Sequence, residues 1–224
     1  MSDYQNRSSV AQAARVNGAG DIITSDTLLR WAVQGKIFEA GFGAADSAIA
    51  MVAAVADTTP SYSLQSPAST SLLVIPILAK VAIIVDGNAI TKIICAFTKP
   101  AGLCATAMTL SGTALTSKHC LYRSSPAPTA QQSTVVSGVT ASALVAADYV
   151  AYHYGQAIDA VLTTGKVALG EGPSNVHALR FLEDGFPHIL TSGAAMLLYV
   201  TNGTTDGTSK TYFQWAEVTK DDLY

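Results

Sequence analysis

Residues 69–100 read STSLLVIPILAKVAIIVDGNAITKIICAFTKP and form the most apolar stretch of the chain. With a period of two, one face of the first half is apolar without interruption, and it carries Leu73, Ile75, Ile77, Ala79, Val81, Ile83 and Val85. The dense β-branched side chains and Pro76 disfavour a helix here. Asp86-Gly87-Asn88 then supplies turn residues, and a second apolar strand follows over residues 90–97. We therefore predict a β-hairpin over residues 70–98 at the centre of a β-sandwich.

The chain is poor in charge. Only 13% of its 224 residues are charged, against about 25% in a typical soluble domain, while 49% are hydrophobic. A surface with so few charges predicts that neighbouring copies cover part of it, because a subunit contact replaces the charged coat that a monomer needs. The net charge of −3 gives no general attraction to polyanions, so broad nucleic-acid binding is not expected.

The first 23 residues are polar and small, lack a sustained period and contain no apolar signal-peptide core. We interpret residues 1–23 as an N-terminal arm, either a disordered terminus or a segment that becomes ordered against a neighbouring subunit. Its basic residues Arg7 and Arg15 are balanced by Asp3 and Asp21, so neutralising a packaged genome is not its expected role. The arm precedes a single predicted β-sandwich domain over residues 24–224.

A short helix is predicted at the start of this domain, where Thr24-Ser25-Asp26 offers N-cap residues and Trp31 is the expected anchor. Residues 47–55 fit a strand or a helix by pattern alone, and their position before a Pro- and Ser-rich segment favours a strand. Alternating apolar patterns predict further strands over residues 34–43, 104–110 and 114–122, with a turn at Ser111-Gly112 before the third of them, and over residues 148–154, 176–182, 194–201 and 211–218. The last two are predicted to form a closing hairpin, because Asn202-Gly203 supplies turn residues between them. In its second strand Phe213 and Trp215 share a face and are expected to pack inward.

Three Pro-rich or Gly-rich segments, residues 57–70, 123–133 and 202–210, are predicted loops that reach neighbouring subunits. The longest apolar run, residues 72–85, has 14 residues and falls short of the roughly 20 that a membrane-spanning helix needs. The three cysteines are an odd number in a chain large enough to fold without disulfides. We interpret them as buried free thiols, with one bridged pair as the alternative.

No catalytic, cofactor or metal motif is found. The Thr164-Gly165-Lys166 segment lacks the P-loop pattern, because Ala160 stands where the first glycine belongs and Val167 where a hydroxyl should bind the metal. The adjacent His119 and Cys120 point to opposite faces of a strand and cannot share an ion without a bulge. No Gly-x-Ser-x-Gly sequence occurs. We therefore expect neither an enzyme nor a cofactor site.

The low charge, the Ala/Thr/Ser/Gly/Val richness, the arm, the short helix and the long Pro-containing loops give the chain a resemblance to a class of structural proteins. It resembles the jelly-roll and related β-sandwich proteins of virus and bacteriophage particles, and differs from the coats of small RNA viruses in lacking a basic arm. The resemblance implies a capsid, decoration or head-neck component that assembles with copies of itself and with other virion proteins, made in the host cytoplasm and located in the virion.

Seven side chains are the candidate anchors and subunit contacts in this interpretation: Trp31, Phe213 and Trp215 as anchors, with Arg7, Arg15, Tyr62 and Tyr212 beside them. The alternative function is a carbohydrate- or receptor-binding β-sandwich, such as a lectin-like domain or a trimeric adhesin head, in which exposed aromatic rings would line the sugar site.

Overall fold

Two antiparallel β-sheets packed face to face make up most of the fold, with one short helix, which confirms the predicted all-β sandwich. The structure is a computed structural model that describes residues 27–41, 48–53, 58–69, 71–85, 91–115, 117–120, 131–141, 144–158, 176–182, 188–203 and 207–222, with the backbone alone at 85 and 151–158. The elements are α1 (Thr27–Val33), β1 (Ile37–Gly41), β2 (Ile49–Ala50), β3 (Tyr62–Gln65), β4 (Leu72–Val85), β5 (Thr91–Thr98), β6 (Leu110–Ala114), β7 (Ser117–His119), β8 (Thr134–Ala141), β9 (Tyr149–Ile158), β10 (Val176–Arg180), β11 (Ala195–Thr201) and β12 (Thr208–Thr219), with 3₁₀ turns at Ala101–Leu103, Ala146–Asp148 and Lys220–Asp222.

The two sheets are built from strands that are distant in sequence. Sheet 1 has the order β10-β4-β12-β1-β7, with β2 paired to the start of β12. Sheet 2 has the order β6-β8-β3-β11-β5-β9. The long strands β4 and β12 lie side by side in sheet 1 from Leu72 to Val85 and from Thr208 to Thr219.

Both predicted hairpins are wrong, although their strands exist. β4 pairs with β10 and β12 in sheet 1, whereas β5 pairs with β11 and β9 in sheet 2. The closing pair divides in the same way, because β11 belongs to sheet 2 and β12 to sheet 1. The turn residue Gly203 does adopt a positive φ of 75°, as turn chemistry requires. In each case the two consecutive strands belong to opposite sheets.

The predicted continuous apolar face of β4 is also wrong, because a bulge interrupts the alternation. The pairing with β12 shifts between Gln214, opposite Leu78, and Trp215, opposite Pro76. One extra residue on β4 reverses the faces on either side of it. As a result Leu73, Ile75 and Ile77 pack on the outer face of sheet 1, while Ala79, Val81 and Ile83 pack between the sheets.

The segment 57–70, predicted as a loop, contains β3, a central strand of sheet 2 between β8 and β11. Pro60 and Pro67 lie outside the strand and do not interrupt its ladder. Within it Tyr62 and Leu64 face the space between the sheets. The prolines therefore mark the ends of a buried strand.

The turn predicted at Ser111-Gly112 lies inside β6, and the strand predicted over residues 104–110 begins only at Leu110. The pairing of β6 with β8 shifts at Gly112, where a Cβ would lie 2.6 Å from the carbonyl oxygen of Ser137. Glycine is needed at this point for a close approach of two strands, not for a reversal of the chain.

In the part of the chain that the structure describes, hydrophobic side chains form three clusters. The central one lies between the sheets and includes Phe38, Leu64, Val81, Phe97, Met196, Leu198, Phe213 and Trp215. A second covers the outer face of sheet 1 under α1 and includes Trp31, Ile37, Leu73, Ile75, Ala216 and Val218. A third covers the outer face of sheet 2 and includes Ala96, Met108, Leu144, Leu197 and Tyr199.

Several local predictions are confirmed. The short helix is α1, the predicted strands at 34–43 and 176–182 contain β1 and β10, and the one at 148–154 covers the first part of β9, which extends to Ile158. Among the described residues of the segment 47–55 the strand is β2, and the segment 114–122 contains β7. The arm of residues 1–23, the N-cap residues 24–26 and most of the loop 123–133 lie outside the described residues. In the described part of the chain, no helix combines the length and apolar character needed to cross a membrane.

Candidate functional site

The side chains predicted as anchors are buried within the protein. Phe213 and Trp215 are fully buried between the sheets, as their shared face predicted, and the ring of Trp215 stacks on Phe38 at 5.9 Å. Trp31 is buried on the outer face of sheet 1. Tyr62 is buried as well, and its hydroxyl donates to the main-chain oxygen of Ser209 at 2.7 Å, which ties sheet 2 to sheet 1. Arg7 and Arg15 lie outside the described residues.

Trp31 belongs to a group of hydrogen bonds and one ion pair that joins α1 and the residues after it to Asp222, the last described residue of the chain. The main-chain oxygen of Asp222 accepts from Arg30 at 2.8 Å and from Trp31 Nε1 at 3.4 Å, and its carboxylate pairs with Lys36. Burial acts to raise the pKa of Asp222, but the hydrogen bonds from Lys36 and Thr219 outweigh it, so the pKa lies below its ordinary value.

Tyr212 lies in a polar cluster on the outer face of sheet 1. Its hydroxyl donates to Glu39 Oε2 at 2.7 Å, and the thiol of Cys120 donates to the same oxygen at 3.7 Å. Gln214 Nε2 donates to the sulfur of Cys120 at 3.4 Å, and Lys80 lies 5.6 Å from the centre of the Tyr212 ring. This cluster combines a carboxylate, a thiol and a tyrosine hydroxyl, the side-chain types from which a catalytic site could be built.

The chemistry of this cluster does not favour a nucleophile. Burial and the neighbouring Glu39 carboxylate raise the pKa of Cys120, so the thiol is protonated near neutral pH and the reactive thiolate is scarce. Over the described residues, His, Cys, Asp and Glu side chains nowhere gather in a group of three or more that could hold a metal ion. The three cysteines are free thiols, as the first of the two interpretations predicted, but only Cys95 is buried, whereas Cys104 and Cys120 are half-buried.

Glu217 was missed by the sequence prediction, although it follows Phe213 and Trp215 on the inward face of β12. Only 5% of the residue is exposed. Its Oε1 accepts from Ser133 N at 3.0 Å, from the Ser133 hydroxyl and from Trp215 Nε1 at 3.1 Å, while Oε2 accepts from Gln132 N at 2.9 Å. This carboxylate bridges β12 of sheet 1 to the residues that lead into β8 of sheet 2.

A long stretch of the chain is almost free of charge. Between Lys99 and Asp148 the only Lys, Arg, Asp or Glu residues are Lys118 and Arg123. Within residues 100–115 and 131–147, 17 side chains or glycines are exposed, and none of them is charged. We call these exposed residues the neutral surface. It follows the β6 edge and the outer side of sheet 2.

Residues 101–109 and 144–147 form a layer over sheet 2, and the exposed residues of this layer are the most apolar part of the neutral surface. We call this layer the outer cover. Its inward side chains, among them Met108 and Leu144, pack on the third hydrophobic cluster. Its outward side includes Leu103, which is 70% exposed, and Val145, which is 44% exposed. The outer cover therefore buries one apolar side and presents another to solvent.

Asp148 holds the two segments of the outer cover together. Its Oδ1 accepts from Ala105 N at 2.8 Å and its Oδ2 from Val145 N at 3.0 Å. These two backbone hydrogen bonds lower the pKa of Asp148, and the bond from Ala105 has the larger effect. The carboxylate is charged at neutral pH, yet it points into the backbone and adds no charge to the outer surface.

Comparison with known proteins does not supply an identity for this arrangement. No protein-family model matches the chain, and no curated protein and no solved structure is significantly similar to it.

Proposed function

We propose that this protein is a structural subunit that assembles with copies of itself into a virus or bacteriophage particle, as a coat, decoration or head-neck component. The observation that carries the proposal is the neutral surface, where 17 exposed positions lack any charge. Soluble monomers intersperse charges of both signs over their surfaces, and depletion of charge is the mark of the central part of a subunit interface.

The packing of the aromatic residues supports a subunit over the alternative, a lectin-like domain. Among the Phe, Tyr and Trp side chains that the structure describes, none is exposed, and Tyr149 and Tyr212 are half-buried. A sugar-binding face needs aromatic rings open to solvent. A glycan array on the purified chain tests this alternative directly, and reproducible binding to one sugar class would favour it.

The virion assignment draws its support from the sequence resemblance and from the sandwich fold. The test is to purify the full chain, measure its mass by sedimentation equilibrium from about 0.1 to 50 micromolar, and image the same sample by electron microscopy. We expect a mass above that of one chain and discrete closed or ring-shaped particles. A chain that sediments as a monomer throughout this range would refute the proposal.

A further inference from the structure

Strand β6 (Leu110–Ala114) lies at one end of the strand order of sheet 2, and its partner among the described strands is β8. Four of its five residues are exposed, and none of the five is charged or a proline. Edge strands of monomeric proteins usually carry a charge, a proline or a bulge, because an open row of N–H and C=O groups otherwise pairs with another strand. We call the side of β6 that faces away from β8 its open side.

The other three strands that end the two sheets each have such a feature. β7 carries the exposed Lys118, and β10 carries the exposed Arg180. β9 pairs with β5 through two register shifts whose extra residues lie on β9 itself. At the register shift between β6 and β8 the extra residue lies on β8, because residues 137–140 are opposite residues 111–113. Among these described edges, β6 is the one without a charge, a proline or a bulge of its own.

The main-chain groups on the open side of β6 come from alternate residues. Leu115 N donates to the carbonyl oxygen of Val135 on β8 at 2.9 Å. In an antiparallel ladder the groups of alternate residues point to the same neighbour, so Ser111 and Thr113 point to β8 as well. The remaining residues of the strand point their N–H and C=O groups to the open side: Leu110, Gly112 and Ala114. The partner whose own groups match such a row is another extended strand.

The sequence of β6, Leu-Ser-Gly-Thr-Ala, has the same order of residue classes in both directions from Gly112. A hydroxyl side chain flanks the glycine on each side, and an apolar side chain follows at each end. If the strand pairs antiparallel with its own copy about a two-fold axis through Gly112, Leu110 lies opposite Ala114 of the partner subunit and Ser111 opposite Thr113 of the partner subunit. Cross-strand hydroxyl pairs are favourable, so the strand is complementary to itself in this register.

From these observations we infer that β6 pairs with β6 of a second copy, antiparallel and about a two-fold axis through Gly112, so that sheet 2 continues from one subunit into the next. The inference rests on the proposed function and names the edge that performs it. In this register the residues of the open side form about six main-chain hydrogen bonds between the subunits. The exposed residues of β6 and β8 carry no charge, so the joint brings no like charges of these strands together.

The experiment uses two double variants of the full chain: Ser111→Lys with Thr113→Lys, and Ser111→Glu with Thr113→Glu. In the inferred register each new charge lies opposite a like charge, so we expect the apparent dissociation constant, measured by sedimentation velocity, to rise at least about tenfold for either variant. An equimolar mixture of the two variants is expected to pair again, because opposite charges then face each other. Both positions are exposed, so urea midpoints equal to that of the wild type confirm that the variants are folded.

A matched control places the same charge elsewhere on the molecule. Leu29 and Val33 on α1 are 61% and 59% exposed. The double variant Leu29→Lys with Val33→Lys is expected to sediment like the wild type. A loss of mass in this control that equals the loss in the β6 variants would mean that added charge, and not the β6 edge, causes dissociation.

Amide hydrogen exchange locates the contact directly. In the assembled wild type, the amides of Leu110, Gly112 and Ala114 are expected to exchange at least about tenfold more slowly than in the same protein diluted until it dissociates. Mass spectrometry of the peptide that contains β6 measures this difference. Slow exchange in the dilute monomer as well would mean that the same chain already covers the edge, and would overturn the inference.

The outcomes separate the two proposals. A wild type that remains a monomer at all concentrations tested overturns the proposed function, and this inference with it. An assembled wild type that tolerates both β6 charge variants, or whose β6 amides exchange equally fast before and after dilution, overturns this inference and leaves self-assembly standing.

Discussion

Replacement of Glu217 tests whether the hydrogen bonds of its carboxylate, which connect the two sheets, stabilise the fold. Two variants separate its contributions: Glu217→Gln keeps the shape and removes the charge, and Glu217→Ala removes the acceptor. In Glu217→Gln an NH₂ group replaces one carboxylate oxygen and so faces another donor. That donor is either Gln132 N or the pair Ser133 N and Trp215 Nε1, depending on which oxygen is replaced.

The expected loss of unfolding free energy follows from the number of donors that lose their acceptor. In Glu217→Ala the buried donors that lose their acceptor are the N–H and the hydroxyl of Ser133 and the ring N–H of Trp215. The N–H of Gln132 also loses its acceptor, but this residue is exposed and can donate to water instead. Each unsatisfied buried donor costs about 1–3 kcal/mol. The desolvation cost of the buried carboxylate is recovered and offsets part of this sum. We expect a net loss of about 2–4 kcal/mol for Glu217→Ala and about 2–3 kcal/mol for Glu217→Gln, where charge-assisted bonds become neutral ones.

The assay is urea unfolding followed by tryptophan fluorescence, at a concentration low enough that assembly does not contribute. With an m-value of about 3 kcal/mol per molar, the expected loss lowers the midpoint by roughly 1 M. Glu39→Gln is the matched control, because Glu39 is a half-buried carboxylate on the neighbouring strand with a tyrosine and a thiol as its donors. We expect it to cost about 1 kcal/mol or less. If Glu217→Ala shifts the midpoint no more than this control, the bridge does not stabilise the fold.

Three further predictions concern single features. Gly193→Ala places a side chain at a φ of 79° and should cost about 1–3 kcal/mol of unfolding free energy, whereas Gly102→Ala, with no atom within 4 Å of its Cβ, should be neutral; equal urea midpoints would contradict this. In the folded state the pKa values of Asp148 and Asp222 are lowered below 3.8, so the stability that both carboxylates contribute is complete above that pH and is lost as the pH falls through the folded-state pKa values. Thermal unfolding from pH 6 to 2 should show this loss of stability. The unfolding temperature of Asp222→Asn should depend less steeply on pH. The Cys95 thiol is fully buried with a raised pKa, so timed alkylation and mass spectrometry at pH 8 should modify it at least about tenfold more slowly in the native chain than in urea.

Local sequence patterns predicted most strands and the inward face of the last one. Alternation in TYFQWAEV placed Phe213 and Trp215 between the sheets, and the same alternation implied the inward position of Glu217. The neutral surface was present in the sequence as a long stretch with few charges, but its location was not, because β6 and β8 had first to be placed beside each other. Gln132 and Ser133, which donate to Glu217 from the other sheet, lie more than 80 positions away for the same reason.

The sequence by itself determined that this chain is a β-sandwich with a short helix, since period-two apolar runs and turn residues are properties of neighbouring positions. Only the tertiary structure decided which strands pair. Asp86-Gly87-Asn88 and Asn202-Gly203 permit the chain to change direction, but nothing local states whether the next strand joins the same sheet or the opposite one. The single extra residue in β4 opposite Gln214 and Trp215 had a similar effect, because one inserted residue exchanges the inward and outward faces of everything beyond it. Pairing and facing depend on contacts between distant parts of the chain, and these are set when the sheets pack.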